Sequence, residues 1–349
     1  MTVSKKIVAK ILTILVCINL MFTNTVKGKV QINPEKIINA SVFLYKYDDE
    51  YIQKVKRSLE ELQEKNKNSV NYTFYDGEGK QSVQDSQLEK VMKQGTDLIL
   101  LNIVDINSTD KIINKIKQCN IPVILFNREP RSLDSVKSYG KAVFIGNNGE
   151  EAGRLQGKII NEAWKKEQNL FDKSKNNVFQ YILIKGEKNN IETELRSDYV
   201  IRSLNEYGIK NIEVASEYCD WNKNYAKLVV KSLFLRYGNI IEGIICNNDE
   251  MAEGSIEALH EFGYNMGSVN NNNVIVVGID GLDGALELIK KKEMTGTVVQ
   301  NIDEMAKALY LVGNNLVLGR DPLYDTKYKF DSSGVAIRIP YSGYVVSEF

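Results

Sequence analysis

Four short polar groups stand directly behind apolar runs: Asp48-Asp49 after Ser41 to Tyr45, Asn127-Arg128-Glu129 after Pro122 to Phe126, Asn247-Asn248-Asp249 after Gly243 to Cys246, and Asp280 after Val274 to Gly278. Carboxylates and amides with one guanidinium suit a polyhydroxylated ring, because a hydroxyl donates to a carboxylate and accepts from an amide or a guanidinium. Phosphate is a poor fit. Gly278, Gly281 and Gly284 do follow a strand candidate and open a helix candidate. Their spacing departs from G-x-G-x-x-G, and Asp280 stands where the second glycine would let a pyrophosphate approach, so a nucleotide-dependent enzyme is disfavoured. Asp49, Glu192 and Asp280 are the carboxylates that a glycosidase would pair across one cleft, but nothing in the sequence raises the pKa of one of them. The single histidine, His260, sits inside the helical stretch Glu250 to Phe262, which argues against histidine triads and zinc chemistry. The expectation is a binding protein and not an enzyme.

The elements that would position these groups alternate strictly. Strand candidates are Ser41 to Tyr45, Val70 to Tyr75, Asp97 to Asn102, Pro122 to Phe126, Val143 to Ile145, Phe179 to Ile184, Ile212 to Ala215, Gly243 to Cys246, Val274 to Gly278 and Gly296 to Val299. Between them lie helical stretches such as Tyr51 to Glu64, Gly149 to Lys165, Thr193 to Glu206, Asn224 to Arg236, Leu282 to Lys291 and Asp303 to Leu316. Repeated β-then-α order is the pattern of α/β architecture with parallel sheets, and ten strands are too many for one tidy sheet. In such sheets ligands sit beyond the carboxyl ends of the strands, which is where the four polar groups fall.

A chain of 349 residues exceeds the size at which one core stops growing, so two lobes are expected. Lysine plus arginine and aspartate plus glutamate both number 45, which leaves no net basic field to gather nucleic acid. Lys5, Lys6 and Lys10 precede the apolar run Ile11 to Phe22, the order of an export signal over residues 1–35, with an uncleaved membrane anchor as the alternative. Cys17 lacks the preceding small residue of a lipidation site. Cys119, Cys219 and Cys246 are widely spaced and are expected as buried free thiols.

The phrases Tyr45-Lys46-Tyr47-Asp48-Asp49, Phe126-Asn127-Arg128-Glu129-Pro130, Lys185-Gly186-Glu187, Asn247-Asn248-Asp249-Glu250-Met251-Ala252, Gly278-Ile279-Asp280, Gly296-Thr297-Val298 and Ser347-Glu348-Phe349 occur in order, about one per βα unit. In these the chain resembles the periplasmic galactose/glucose-binding proteins, the sugar-binding partners of ABC transporters with a type I periplasmic binding protein fold. The resemblance implies two Rossmann-like lobes, one from 36–146 plus 302–336 and the other from 147–301 plus 337–349, with crossovers near Ile145, Gln300 and Ile337. It implies a sugar stacked between Tyr51 and Trp221 and hydrogen-bonded by Asp49, Asn127, Arg196, Asn248 and Asp280. A core ring for Tyr51, helix capping for Asp49, Asn248 and Asp280, and a solvated helix face for Arg196 are the plain alternatives. Asn190, Glu192 and Gln300 stand where the family carries His, Asp and Asn. Since a site that pairs a given hydroxyl discriminates steeply against sugars lacking it, galactose or glucose is not simply inherited, and a pentose or modified hexose stays open.

The resemblance also implies a calcium loop of Asp172, Ser174, Asn176, the Val178 carbonyl and Gln180, closed by Glu242, with Asn177 at the sharp turn. Only two carboxylates remain there, so reduced affinity is expected, and a plain polar turn is the alternative. The function implied is extracytoplasmic capture of a monosaccharide for an ABC permease by a monomer. A membrane-anchored sensor signalling to a histidine kinase or chemoreceptor is the alternative. A LacI-type transcription factor is disfavoured because the apolar segment occupies the place of a DNA-binding headpiece.

Overall fold

The computed structural model describes residues 37–267 and 272–347. The expected export segment, and Glu348-Phe349 of the terminal phrase, lie outside the described residues. The described residues form twelve strands: β1 Ile38–Leu44, β2 Val70–Asp76, β3 Leu98–Leu101, β4 Val123–Phe126, β5 Ala142–Gly146, β6 Phe179–Lys185, β7 Asn211–Tyr218, β8 Gly243–Cys246, β9 Ile275–Asp280, β10 Gly296–Val299, β11 Ala336–Arg338 and β12 Tyr344–Val346. They form two six-stranded sheets, ordered β11-β5-β4-β3-β1-β2 and β12-β10-β9-β8-β6-β7. Every named pairing is parallel except β10 with β12.

The helices that matter for the cleft are α1 Glu50–Lys65, α2 Gly149–Lys166, α3 Ile191–Glu206, α4 Lys223–Tyr237, α5 Asp249–His260, α6 Asp283–Lys290 and α7 Ile302–Val317. They cover both faces of the sheets, which is why β3, β4 and β8 are unbroken buried runs and do not alternate. In β1 the period of two divides the residues between layers: Val42 and Leu44 pack with Ile52, Val55, Leu59, Leu309 and Val312, and Phe43 packs on the opposite face with Ile112, Ile113 and Ile116. Each such fully buried leucine or isoleucine is worth about 2–5 kcal/mol against truncation to alanine. β7 is an edge strand with much of its length exposed.

The chain passes from the first lobe to the second after β5, returns after β10 to lay α7 on the first sheet, and leaves again after β11. The last crossing falls later than the expected handover near Ile337. Ile337 and Arg338 still pair with Ile145 and Gly146, and Arg338 is held in the first lobe by Asp331 and Glu129. A strand of three residues has too little pattern to mark its own end. Cys219 and Cys246 are buried free thiols, whereas Cys119 is exposed, contrary to expectation, because it caps a surface helix at Thr109–Gln118.

Candidate functional site

The carboxyl ends of both sheets face one cleft, walled by Tyr45, Asp49, Tyr51, Asn127 and Arg128 from the first lobe and Glu192, Arg196, Trp221, Asn248, Asp280 and Gln300 from the second. All the expected binding residues except Asn190 are on this wall.

Asp49 sits between β1 and α1 and does two jobs. Its Oδ1 caps α1 by accepting from the Ile52 N–H at 2.8 Å, and its Oδ2 accepts from the Tyr45 hydroxyl at 2.5 Å. Asn248 likewise caps α5 through Oδ1, accepting from the Met251 N–H, which leaves its amide nitrogen for the cleft. Capping and wall position coexist at both residues. Asp280 is different. The amides that open α6, at Gly281 and Leu282, donate to Asp249 at 2.8 Å each, and Thr297 Oγ1 donates to the same carboxylate at 2.6 Å. Asp280 is therefore not a helix cap. It ends β9 at φ 138°, where side-chain-bearing residues rarely sit, and receives Gln300 Nε2 at 2.6 Å. Asn127 also holds a positive φ, 61°, and its Oδ1 accepts from Asn102 Nδ2. Backbone strain of this kind persists only where surrounding structure enforces it, and it concentrates at binding sites.

Arg196 is only 3% exposed, so the solvated-face alternative fails. Gly153 of α2 lies so close to α3 that an added Cβ would be 2.7 Å from the Arg196 carbonyl, and this approach seals the arginine inside. Its Nη1 donates to the Asn247 carbonyl at 2.8 Å, and its guanidinium carbon lies 5.7 Å from the Trp221 ring centre. Trp221 is held by two successive left-handed residues, Asp220 at φ 51° and Trp221 itself at φ 59°, which swing the indole from a polar turn onto Gly186. Tyr51 is buried at the start of α1 with its ring on the cleft wall. Asn190 is the exception because its Oδ1 turns away to accept from the Thr193 N–H and cap α3. It lines a neighbouring cavity with Arg128, Glu187 and Asp105.

Two wall residues were not among the expected binders. Tyr45 and Arg128 both lie within the recognised phrases, and Arg128 follows a strand candidate, so the positional signal was present. Arg128 donates to the carbonyls of Ile103 and Val104, pairs with Glu187 of the other lobe, and lies 4.5 Å over the Tyr45 ring. Arg131 with Glu194 at 2.7 Å and Lys54 with Asp283 at 2.9 Å also bridge the lobes, so the structure is a closed clamp.

The electrostatics are acid-rich. Burial pushes the Asp280 carboxyl well above its ordinary value, and the nearby Asp249 adds to this, against Arg196 and Gln300. Burial raises Glu192 too, again opposed first by Arg196. Asp249 is pushed up to about 7 by burial despite its three donors. Buried carboxylates of this kind gain from hydroxyl donors, and Arg196 supplies the complementary donor.

The loop Asp172 to Gln180 packs against Glu242. Asp172 accepts from the amides of Asn176 and Asn177, Asn177 makes the left-handed turn at φ 57°, and Glu242 accepts from the amides of Ser174 and Gln180. Gln180 Nε2 donates to Ser174 Oγ at 2.7 Å, and Asn176 Oδ1 accepts from the Val178 N–H at 2.9 Å. The loop carries two carboxylates, Asp172 and Glu242, and both accept from its backbone amides. Among the described residues no cluster of three His, Cys, Asp or Glu side chains forms a metal site.

Two parallel α/β lobes clamped around a polar cleft walled by aromatic rings define the class of two-lobed solute-binding proteins. The chain belongs to the family of the periplasmic binding protein domain, whose model matches residues 40–321. It is 33% identical over 303 residues to the D-galactose/methyl-galactoside binding periplasmic protein MglB of Haemophilus influenzae, covering 86% of this chain and 88% of that protein. Two solved structures share the fold. One is an ABC transporter solute binding protein from Bacillus halodurans with bound myo-inositol, at TM-score 0.72 and 22% identity, covering 90% of this chain and 96% of that one. The other is a periplasmic solute binding protein from Actinobacillus succinogenes with bound D-allose, at TM-score 0.73 and 18% identity, covering 88% and 97%. With these relatives the chain is a binding protein and not an enzyme. Among the described residues no helix is long and apolar enough to cross a membrane.

Proposed function

We propose that this protein captures a monosaccharide or a similar cyclic polyol outside the cytoplasm and presents it, closed in the cleft, to an ABC permease. The observation that carries the reading is the wall itself. Tyr51 from one lobe and Trp221 from the other bring aromatic faces, which suit the apolar C–H faces of a sugar, and Asp49, Asn127, Arg196, Asn248 and Asp280 supply polar groups for its rim. The relatives support the same class, since the Haemophilus protein is named for galactose and the two structural neighbours hold myo-inositol and allose. Galactose and glucose are the first candidates. Glu192 and Gln300 each carry a methylene more than the Asp and Asn of the galactose/glucose family and sit on this wall, which favours a ligand with a different outline there, a pentose or altered hexose.

Ligand binding shifts the open–closed population toward the closed form, and the permease reads closure. Extracytoplasmic location follows from the same kinship and from the export pattern of residues 1–35. The loop from Asp172 to Gln180 with Glu242 is proposed as a weak calcium site that ties the loop to the second sheet.

The test is a thermal-shift panel of pentoses, hexoses and cyclitols, because a ligand bound only by the folded state raises the midpoint, by about 2.7 kcal/mol of stability at a hundred times Kd. At least one member is expected to raise Tm, and Trp221→Ala is expected to abolish that rise while retaining a cooperative transition. No shift with any member would refute the proposal.

A further inference from the structure

Four buried polar atoms around the cleft find no partner among the described residues: Tyr51 Oη, Tyr341 Oη, Arg196 Nε and Gln300 Oε1. Three belong to wall residues of the cleft. The fourth, Tyr341, lies on the last connection between the lobes, past β11, where Ser342 N–H donates to the Val299 carbonyl and fixes the segment beside Gln300. Tyr341 is 8% exposed and Tyr51 is 6% exposed. Tyr51, Glu192, Arg196, Asp280 and Gln300 wall the same cleft, and Tyr341, on the hinge segment beside Gln300, is near enough to Tyr51, Glu192, Asp280 and Arg196 for their charges to act on its phenol.

Stacking asks only for a ring, and phenylalanine at position 51 would provide one. A hydroxyl buried without a partner is costly, so two of them beside the same charged groups call for a ligand group that satisfies both. The neighbours narrow its chemistry. Arg196 Nε offers a hydrogen, Gln300 Oε1 and the carboxylates of Glu192 and Asp280 accept one, and each phenol can do either. The matching group both donates and accepts, as a hydroxyl does.

We infer that the hinge end of the cleft reads a free hydroxyl of the ligand through the phenols of Tyr51 and Tyr341, and rejects ligands that are deoxygenated or O-methylated at that carbon. The inference rests on the sugar-binding reading and specifies it. Tyr51 is a direct specificity determinant, and Tyr341 adds a contact from the hinge segment, so a correctly placed hydroxyl also ties the last connection to the ligand.

The test is calorimetric titration of the unaltered protein, Tyr51→Phe and Tyr341→Phe with D-galactose, D-allose, L-arabinose, D-xylose and myo-inositol, then with every monodeoxy and mono-O-methyl derivative of the tightest binder. Both substitutions remove one oxygen and keep the ring, so folding is preserved. One position of the ligand is expected to stand out, its deoxy and O-methyl derivatives binding the unaltered protein at least about tenfold more weakly than the parent. Each phenylalanine variant is expected to lose about tenfold for the parent and little further for that deoxy derivative, the signature of a shared interaction. If both variants bind the parent as tightly as the unaltered protein, or lose equally for the parent and all derivatives, the inference is overturned and the sugar-binding reading stands. If the unaltered protein binds no member of the panel, that reading falls and the inference with it.

Discussion

Gly186 offers a way to move Trp221 without touching it. A Cβ built on Gly186 would stand 2.3 Å from Cη2 and Cζ2 of the indole and 2.5 Å from Cε2. Ordinary contact begins near 3.4 Å, so Gly186→Ala forces the ring back by about 1 Å or forces strand β6 away from it. Overpacking of this kind costs about 1–3 kcal/mol of stability. Gly186 is not among the residues with positive φ, so alanine meets no backbone strain there and the protein is expected to fold. The displaced ring no longer lies flat on a ligand, and losing a stacking interaction worth about 0.5–1.5 kcal/mol beyond its area weakens binding by about three- to tenfold. The assay pairs calorimetry on the tightest ligand with tryptophan fluorescence in a Trp164→Phe background, since the chain has two tryptophans and Trp164 lies in the core of the second lobe. Binding within about twofold of the parent protein, with an unchanged ligand-induced fluorescence response, would refute the geometry assigned to the Gly186–Trp221 contact.

Glu250 opens α5 close to Glu50 of the other lobe, and burial, reinforced by the charge of Asp49, pushes its carboxyl up to about 8, against the Glu50 amide and Lys46. A carboxyl raised by folding binds its proton more tightly in the native state, so its contribution is complete below its ordinary pKa and is lost as pH rises through about 8. Melting temperature followed across that window is expected to fall with pH more steeply for the natural protein than for Glu250→Gln. Parallel curves would contradict the assignment. For the Asp172 loop, calcium titration followed by melting temperature is expected to show a Kd of about 10⁻⁴–10⁻³ M, the weak end for such loops, because only Asp172 and Glu242 bring charge and the Lys173 ammonium lies beside Glu242, bonded to the Ile241 carbonyl. Submicromolar binding would show that the neutral oxygens compensate.

Much of this architecture is legible in the chain because its apolar runs are unambiguous. Leu98–Leu101 and Gly243–Cys246 have no polar interruption, and their short length between helical stretches reads as buried strand. The short strands Ala336–Arg338 and Tyr344–Val346 carry no such signal, being three residues each and defined by neighbours far away in sequence. At the site, Asp49 and Asn248 were readable as both caps and wall residues because each stands between a strand and a helix. Arg196 was readable only through family likeness, since its own helix is rich in charged residues and its burial depends on Gly153 and on the Asn247 carbonyl. The orientation of Asn190 was not readable: an N-cap and a ligand contact use the same side chain, and the choice between them depends on a rotamer. Tyr341 was missed because Pro340-Tyr341-Ser342 reads as a surface turn, whereas the ring is buried in the apolar core of the second lobe, in one cluster with Ile279 and Val298.

The central claim is that a sugar lies between the two lobes, and a crystal structure of the protein with the tightest binder of the panel tests it most directly. The account predicts ring density between Tyr51 and Trp221, with Asp49, Asn127, Arg196, Asn248 and Asp280 within hydrogen-bonding distance of its hydroxyls. A ligand bound elsewhere, or a closed cleft whose rings contact no ligand at saturating concentration, would contradict it.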